Sequence, residues 1–391
     1  MDVRLREDQL AWQAKARGFA RDVLRPKSLE RDGVADPRAA FDWDLIREGS
    51  RLGFRTAVVA KEWGGHGIDL TTQALVIMEL ARGDSAMAKT FSQCWKWSHL
   101  IAEFCSPDQK ARYLQKFLDD DTFLLGHAAT EPLAMKHFSP LSIHSKSGWR
   151  LKAVRRGDEW ILNGEKCFIA NGSVAKLFFV DARTNPEVSI REGGTEFLVP
   201  IDTPGLRIGK VFNKRGWRFY QNAELIFEDA RVPHANVVGE VNAAYKTRHG
   251  TFGDLELSAN AVGVCDDALD MAMAAARDRQ PDARWFKVNQ HVQLKISEMH
   301  MLTEALRSFV LRVAGEGDAK TGNHSVNNVL LMNFATDVVQ KVTALNLEVL
   351  GARGGAMPAR AEKLARDAVI WTHLAGDSIQ RMKAVRRMKW S

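Results

Sequence analysis

Cysteine is scarce and unpatterned in this chain. Cys94, Cys105, Cys167 and Cys265 are widely spaced and form no Cys-x-x-Cys pair, so neither a disulfide framework nor a zinc site is expected. The four read as buried small hydrophobes or free thiols, and no metal is assigned. Long apolar runs are missing too: none approaches the roughly 18 to 20 residues that a membrane span needs. The segment Met1-Asp2-Val3-Arg4-Leu5-Arg6 lacks the apolar core of a secretion signal, so the expected location is cytoplasmic, with no membrane partner. No internal repeat or low-complexity tract is present. The net charge of +7 over 391 residues is modest. Its clearest run is Arg381, Lys383, Arg386, Arg387 and Lys389, which reads as a solvated last helical turn helped by the helix dipole, with a phosphate contact as the sharper alternative. Without a larger basic patch or a recognisable motif, nucleic acid is not an expected partner.

What is present, 45% hydrophobic and 26% charged residues, is the balance of a globular chain long enough to bury a substantial core. Residues 1–123 read as a helical domain. Leu10, Trp12, Ala16, Phe19, Ala20 and Val23 fall near helical spacing up to Leu24-Arg25-Pro26, where proline is expected to stop the helix. Further helices are expected over 43–52, 71–81 and 94–104, a helix start at Ser106-Pro107, and a glycine-rich loop at Trp63-Gly64-Gly65-His66-Gly67. From 124 to 240 the pattern changes to short β-rich runs separated by turn residues, the spacing of a small β-barrel or sandwich. Residues 241–391 are helical again. Val292, Ile296, Met299, Leu302, Leu306, Val310 and Val313 form one apolar stripe and Val338, Val342, Leu345 and Val349 another, as bundle core does.

At the centre lies Gly164-Glu165-Lys166-Cys167-Phe168-Ile169-Ala170-Asn171-Gly172. Taken alone, its strand-forming residues between the turn dipeptides Asn163-Gly164 and Asn171-Gly172 make an ordinary hairpin edge.

The order of elements and five motifs change that reading. Trp63-Gly64-Gly65-His66-Gly67, Ala129-Thr130-Glu131-Pro132, the stretch 164–172, Glu224 to Pro233, and Leu350-Gly351-Ala352-Arg353-Gly354 followed by Arg366-Asp367-Ala368 together resemble the acyl-CoA dehydrogenase family nearly end to end. The resemblance implies a mainly α fold with a central β-domain, the last part being a four-helix bundle. It also implies FAD, with its isoalloxazine between the β-domain and the bundle. In such enzymes a glutamate takes the α-proton of an acyl-CoA thioester while the flavin accepts the β-hydride, inside a dry pocket with donors to the thioester carbonyl. The resemblance places Ala129, Thr130, Phe168, Ala170, Arg279, Glu348 and Gly351 at the cofactor, and implies a dimer or homotetramer.

Several positions depart from the family pattern. Ala375 stands where the usual glutamate base would be. A second base position used by some members falls on Gly253, and Asp254 replaces the arginine beside it. Asp377, Asp254 and Glu256 remain as candidate bases, although each also reads as an acid at a helix entry or helix N-terminus. Phe168 replaces a tryptophan, Ala170 a threonine whose hydroxyl bonds the ring, and Glu348 a glutamine near phosphates. Arg279 keeps the arginine expected to reach a pyrophosphate. Each lost contact is worth roughly 1 kcal/mol in a buried site. Three functions follow as expectations: desaturation of an acyl-CoA-type thioester with a nonstandard base; another flavin reaction such as elimination or oxygenation; or a non-catalytic partner in a hetero-oligomer with a sibling chain. Trp95, Trp97 and His99 suggest an atypical substrate, or helix core in the case of the two tryptophans.

Overall fold

The computed structural model describes residues 5–132, 149–244, 252–278, 289–321 and 324–374, and the side chains at 252–254, 278, 324 and 325 lie outside that description. The first lobe is helical: α1 (Glu7–Phe19), α2 (Arg25–Asp32), α3 (Trp43–Arg51), α4 (Leu70–Gly83) and α5 (Ser85–Phe104). Aspartates begin three of them. Asp42, Asp69 and Asp84 accept amide hydrogens from the first turns of α3, α4 and α5, which satisfies otherwise orphaned donors.

Pro26 does not stop the first helix. A π-helical stretch, Ala20–Leu24, carries the chain from α1 into α2, with Pro26 in the first turn of α2. The wider turn accommodates the missing amide hydrogen and the ring that would break a regular helix. Helix α5 also starts nine residues earlier than its apolar pattern suggests, because Lys89, Ser92 and Gln93 are polar yet buried.

Among the described residues seven strands form the middle layer: β1 (Leu124–Ala128), β2 (Lys152–Arg156), β3 (Glu159–Ala170), β4 (Ala175–Arg183), β5 (Gly194–Pro200), β6 (Leu206–Val211) and β7 (Asn222–Pro233). Their order is β1-β4-β2-β3-β7-β6, with β5 on β4, and β1 also meets β3 at His127 and Ala170. That extra contact closes a ring, β1-β4-β2-β3. The stretch 164–172 is therefore no hairpin edge. It lies mostly in β3, paired along most of its length with β7. Nor is Asn163-Gly164 a turn: it is a bulge, where Gly164 takes φ +137° and a Cβ placed on it would lie 3.0 Å from the Leu151 Cα, which favours glycine there.

The last lobe contains α6 (Phe252–Asp278), α7 (Gln290–Asp318), α8 (His324–Leu350) and α9 (Arg360–Ala368). The two apolar stripes face inward: Val292, Met299, Leu306, Val310 and Val313 on α7 and Val338, Val342, Leu345 and Val349 on α8 are buried. Helix α6 also crosses α4. A Cβ at Gly263 would lie 2.2 Å from the Met78 carbonyl oxygen, so the crossing depends on that glycine. Among the described residues no helix is long and apolar enough to cross a membrane.

Candidate active site at the junction of the three lobes

Two lysine–carboxylate clusters join the lobes. In the first, Asp84 caps α5 by accepting from the Ala86 and Met87 amides at 2.9 Å and also accepts from Ser28 and Lys363. Lys363 donates to Asp367 at 2.6 Å, and Asp367 accepts from the Trp217 amide at 2.7 Å and the Ser85 hydroxyl at 3.2 Å. Burial pushes both carboxyls up, but Lys363 with its hydrogen-bonded neighbours holds Asp84 below its ordinary value, while Asp367 stays raised. Beside it Arg366 reaches Asp32 at 2.6 Å. The Arg366-Asp367-Ala368 motif thus ties α9 to the helical lobe and to the loop before β7.

The second cluster involves Glu256 near the start of α6. Both its oxygens lie within 3.1 Å of the Lys89 ammonium, and one accepts from the Ser92 hydroxyl at 2.5 Å. All three residues are buried. A separate hydrogen-bonded path starts one residue further along α5 and leads to the β-domain. Gln93, next to Ser92 on α5, accepts from the Tyr220 hydroxyl at 2.9 Å. The Tyr220 carbonyl accepts from Lys214 at 2.6 Å, Lys214 reaches Asn222 at 2.5 Å, and the Asn222 amide donates to the Phe168 carbonyl at 2.9 Å. Burial, with Glu256 and Cys94 adding, pushes the Tyr220 phenol well above its ordinary value, so it remains a donor. Burial also pulls the Lys214 ammonium down to about 7, against the attraction of Asp367.

The path ends on an aromatic ledge. Phe168 is 56% exposed, at φ +53°, and stacks on Phe212 with ring centroids 4.0 Å apart. An exposed phenylalanine with one face covered by another ring leaves the other face for a planar partner. Thr130 is exposed beside it, and its carbonyl accepts from the Cys167 amide at 2.9 Å. The Ala129 carbonyl accepts from Lys166 at 3.1 Å. Fully buried Lys166 also pairs with Glu131 at 2.8 Å, and Glu131 accepts from the Arg150 and Leu151 amides. This ion pair pins the Thr-Glu-Pro segment against β3. Ala170 follows on the same strand, half-buried.

Other expected site residues fall elsewhere. Glu348 is exposed near the end of α8 and pairs with Lys295, which holds its carboxyl below the ordinary value. Gly351, at φ +62°, follows that helix. Among the described residues no hydrogen bond or ring contact joins either of them to the ledge. Arg279, Ala375, Asp377 and the basic run 381–389 lie outside the described residues, as does the Asp254 side chain. The chain approaches position 375 through Trp371, whose indole donates to the Leu257 carbonyl at 3.0 Å and packs edge-on to Trp217. Trp95 is core, bonded to the Phe54 carbonyl. Trp97 instead lies against His127, with ring centroids 4.3 Å apart. All four cysteines are buried, and burial raises the thiols of Cys94, Cys105 and Cys167 to about 11, about 12 and about 11. Two surface clefts, one bordered by residues 65–69 and one between Phe104 and Val241, contain no residue of the ledge.

The missed residues are Lys89, Ser92, Gln93, Lys214 and Tyr220. For the first three the signal was the set of polar side chains in α5, inside a stretch otherwise apolar enough to be core; Lys214 and Tyr220, in the loop before β7, carried none.

An exposed aromatic face on the β-domain, with a hydrogen-bonded path running from its backbone toward the junction of the lobes, is an arrangement that can hold a planar cofactor. The chain matches the acyl-CoA dehydrogenase N-terminal domain over residues 6–121, the middle domain over 128–230 and the C-terminal domain over 252–389. It is 30% identical over 367 residues to cyclohex-1-ene-1-carbonyl-CoA dehydrogenase of Syntrophus aciditrophicus, covering 93% of this chain and 85% of the relative. It is also 30% identical over 369 residues to the protein of the same name from Geobacter metallireducens, covering 93% of each. Among solved structures, butyryl-CoA dehydrogenase from Megasphaera elsdenii superposes with a TM-score of 0.89 at 27% identity, over 99% of both chains. The chain belongs to the acyl-CoA dehydrogenase family. It is an oxidoreductase of that type, and FAD is its cofactor. The residues present fit that group: Phe168 offers a free aromatic face, Thr130 an exposed hydroxyl, and Trp217 a buried indole N–H with no partner.

Proposed function

We propose that the protein desaturates an acyl-CoA-type thioester between Cα and Cβ, with a base other than the usual glutamate. The observation that carries this reading is the hydrogen-bonded path from the Phe168 carbonyl to Gln93, which follows Ser92 of the Glu256 cluster on α5. It runs from a ring-binding ledge to the neighbour of a buried carboxylate cluster where three lobes meet, a common setting for perturbed and functional groups. Phe168, Ala129 and Thr130 would hold the FAD ring. When bound, FAD supplies the hydride acceptor. Lys89, Ser92 and Glu256 are buried, which strengthens the polar contacts among them.

The proton acceptor in this reading is a carboxylate among Asp254, Glu256 and Asp377. Glu256 already accepts from Lys89 and Ser92 on both sides, so it takes a proton only by loosening one of these bonds. Two of the relatives bear the name of a dehydrogenase of a cyclic acyl-CoA, which makes cyclic acyl groups the first to test here. We further propose a cytoplasmic dimer or tetramer, with Glu348 and Gly351 serving a neighbouring subunit's cofactor. The test is substrate-driven bleaching of bound flavin without oxygen, together with exchange of the substrate α-proton in D2O. Asp254→Asn, Glu256→Gln and Asp377→Asn then identify the base as the one whose loss stops the exchange.

A second reading is favoured by Ala170, which brings no hydroxyl to the ring, and by the alanine at 375. It is a family member working by elimination or oxygenation, or as a non-catalytic partner of a sibling chain. Flavin that binds but is not bleached by any acyl-CoA favours the former. A colourless chain that becomes active only with a sibling favours the latter.

A further inference from the structure

The ring that forms the ledge is displayed by an irregularity in the sheet, and one polar residue is bonded to both members of the stack. Lys166 on β3 lies opposite Leu225 on β7, and Ile169 lies opposite Ala223. Two residues of β3, Cys167 and Phe168, therefore face one of β7, Glu224. That is a β-bulge, a device that re-aims a side chain and leaves backbone groups outside the ladder. Phe168 sits in it at φ +53°, in the left-handed region that a residue with a large side chain keeps only when its surroundings hold it there.

What holds it is Asn222, the residue of β7 opposite Ala170. Its side-chain amide donates to the Phe168 carbonyl at 2.9 Å, and its backbone carbonyl accepts from the Phe212 amide, also at 2.9 Å. Phe212 is the ring stacked on Phe168, so Asn222 is bonded to the backbones of both. Lys214 sets the direction of the Asn222 side chain. Its ammonium lies 2.5 Å from Asn222 Oδ1 and 2.6 Å from the Tyr220 carbonyl oxygen. An ammonium only donates, so the amide oxygen must face it and the NH2 group is left for the Phe168 carbonyl.

We infer that Asn222, oriented by Lys214, is a positioning residue for the cofactor: it acts through the aromatic stack, keeping Phe168 in the bulge and Phe212 behind it so that the free face is formed before FAD arrives. This rests on the reading of the ledge as the FAD site. A face built in advance spares the cost of ordering it on binding. Without the amide bond Phe168 is free to leave the left-handed conformation, and its ring leaves the ledge with it.

The test is the FAD Kd, read by dialysis of the FAD-loaded protein. Asn222→Asp keeps the size of the side chain and an oxygen for Lys214, but cannot donate to the Phe168 carbonyl. It should raise the Kd about tenfold, as much as loss of the ring itself. Lys214→Met, which frees the amide to turn, should raise it less, about threefold. Phe168→Ala supplies the background that separates positioning from a merely structural role. If Asn222 acts through the ring, Asn222→Asp adds nothing once the ring is gone, and the double variant should match Phe168→Ala within about twofold instead of showing the roughly hundredfold rise of two independent losses. An equal weakening by Asn222→Asp with and without the ring overturns the inference, and so does an unchanged Kd in Asn222→Asp alone. A protein that binds no FAD before any substitution would instead overturn the ledge reading, and the inference with it.

Discussion

The two buried lysine–carboxylate clusters use the same groups for different ends. Lys363 bridges Asp84 and Asp367, and the remaining bonds of those carboxylates go to a helix cap, a loop amide and two serine hydroxyls. Every partner is fixed by the fold, so the cluster is a clamp. Lys89 and Ser92 hold Glu256 as tightly. One residue further along α5, Gln93 starts a path through Tyr220, Lys214 and Asn222 to the backbone carbonyl of the exposed Phe168. Burying charge is costly and weak evidence for a stabilising role. What lies beside the cluster is what separates a clamp from a site.

Breaking the clamp should give the largest effect on stability. Lys363→Met leaves Asp84 and Asp367 facing each other without a cation and should cost about 3–5 kcal/mol, read as a fall in denaturation midpoint. Removing the second pair together should behave differently. The double variant Lys89→Met/Glu256→Met should keep stability within about 1–2 kcal/mol, since a buried pair replaced by apolar groups is near neutral. Substrate-driven flavin reduction should nevertheless fall about 100-fold or more if Glu256 is the base. Equal destabilisation by the two changes, with equal loss of rate, would erase the distinction.

Phe168→Ala should leave the midpoint unchanged, because the ring is more than half exposed, and should weaken FAD binding about tenfold, as loss of one aromatic contact does. Lys214 sharpens the comparison through pH. Its folded-state value is depressed to about 7 from 10.5, so between those limits the unfolded chain binds more protons and stability should rise with pH. Below about pH 7 the penalty is fully present. Chemical denaturation across this window should show the rise, and Lys214→Met should flatten it.

Much of this arrangement was legible in the sequence. The helix–strand–helix order follows from local composition and turn chemistry, the Thr-Glu-Pro segment and Phe168 stood out only through the resemblance to the acyl-CoA dehydrogenase family, and the apolar stripes of α7 and α8 identify their own buried faces. The failures have physical causes. Pro26 was expected to end a helix, but a π turn absorbs the missing donor. Asn163-Gly164 was expected to turn the chain, but the close approach of Leu151 makes Gly164 a bulge. The clusters themselves were illegible, because Lys89 meets Glu256 across a sequence separation of 167 residues, and no local pattern encodes such a meeting. Polar residues on an otherwise apolar helix were the one available sign.

The central claim is that this ledge holds a flavin that an acyl-CoA reduces. It is tested most directly by adding a panel of acyl-CoA thioesters to the FAD-loaded protein without oxygen and recording the flavin spectrum. The account predicts bleaching by at least one thioester; a fully loaded protein whose spectrum no thioester alters would contradict it.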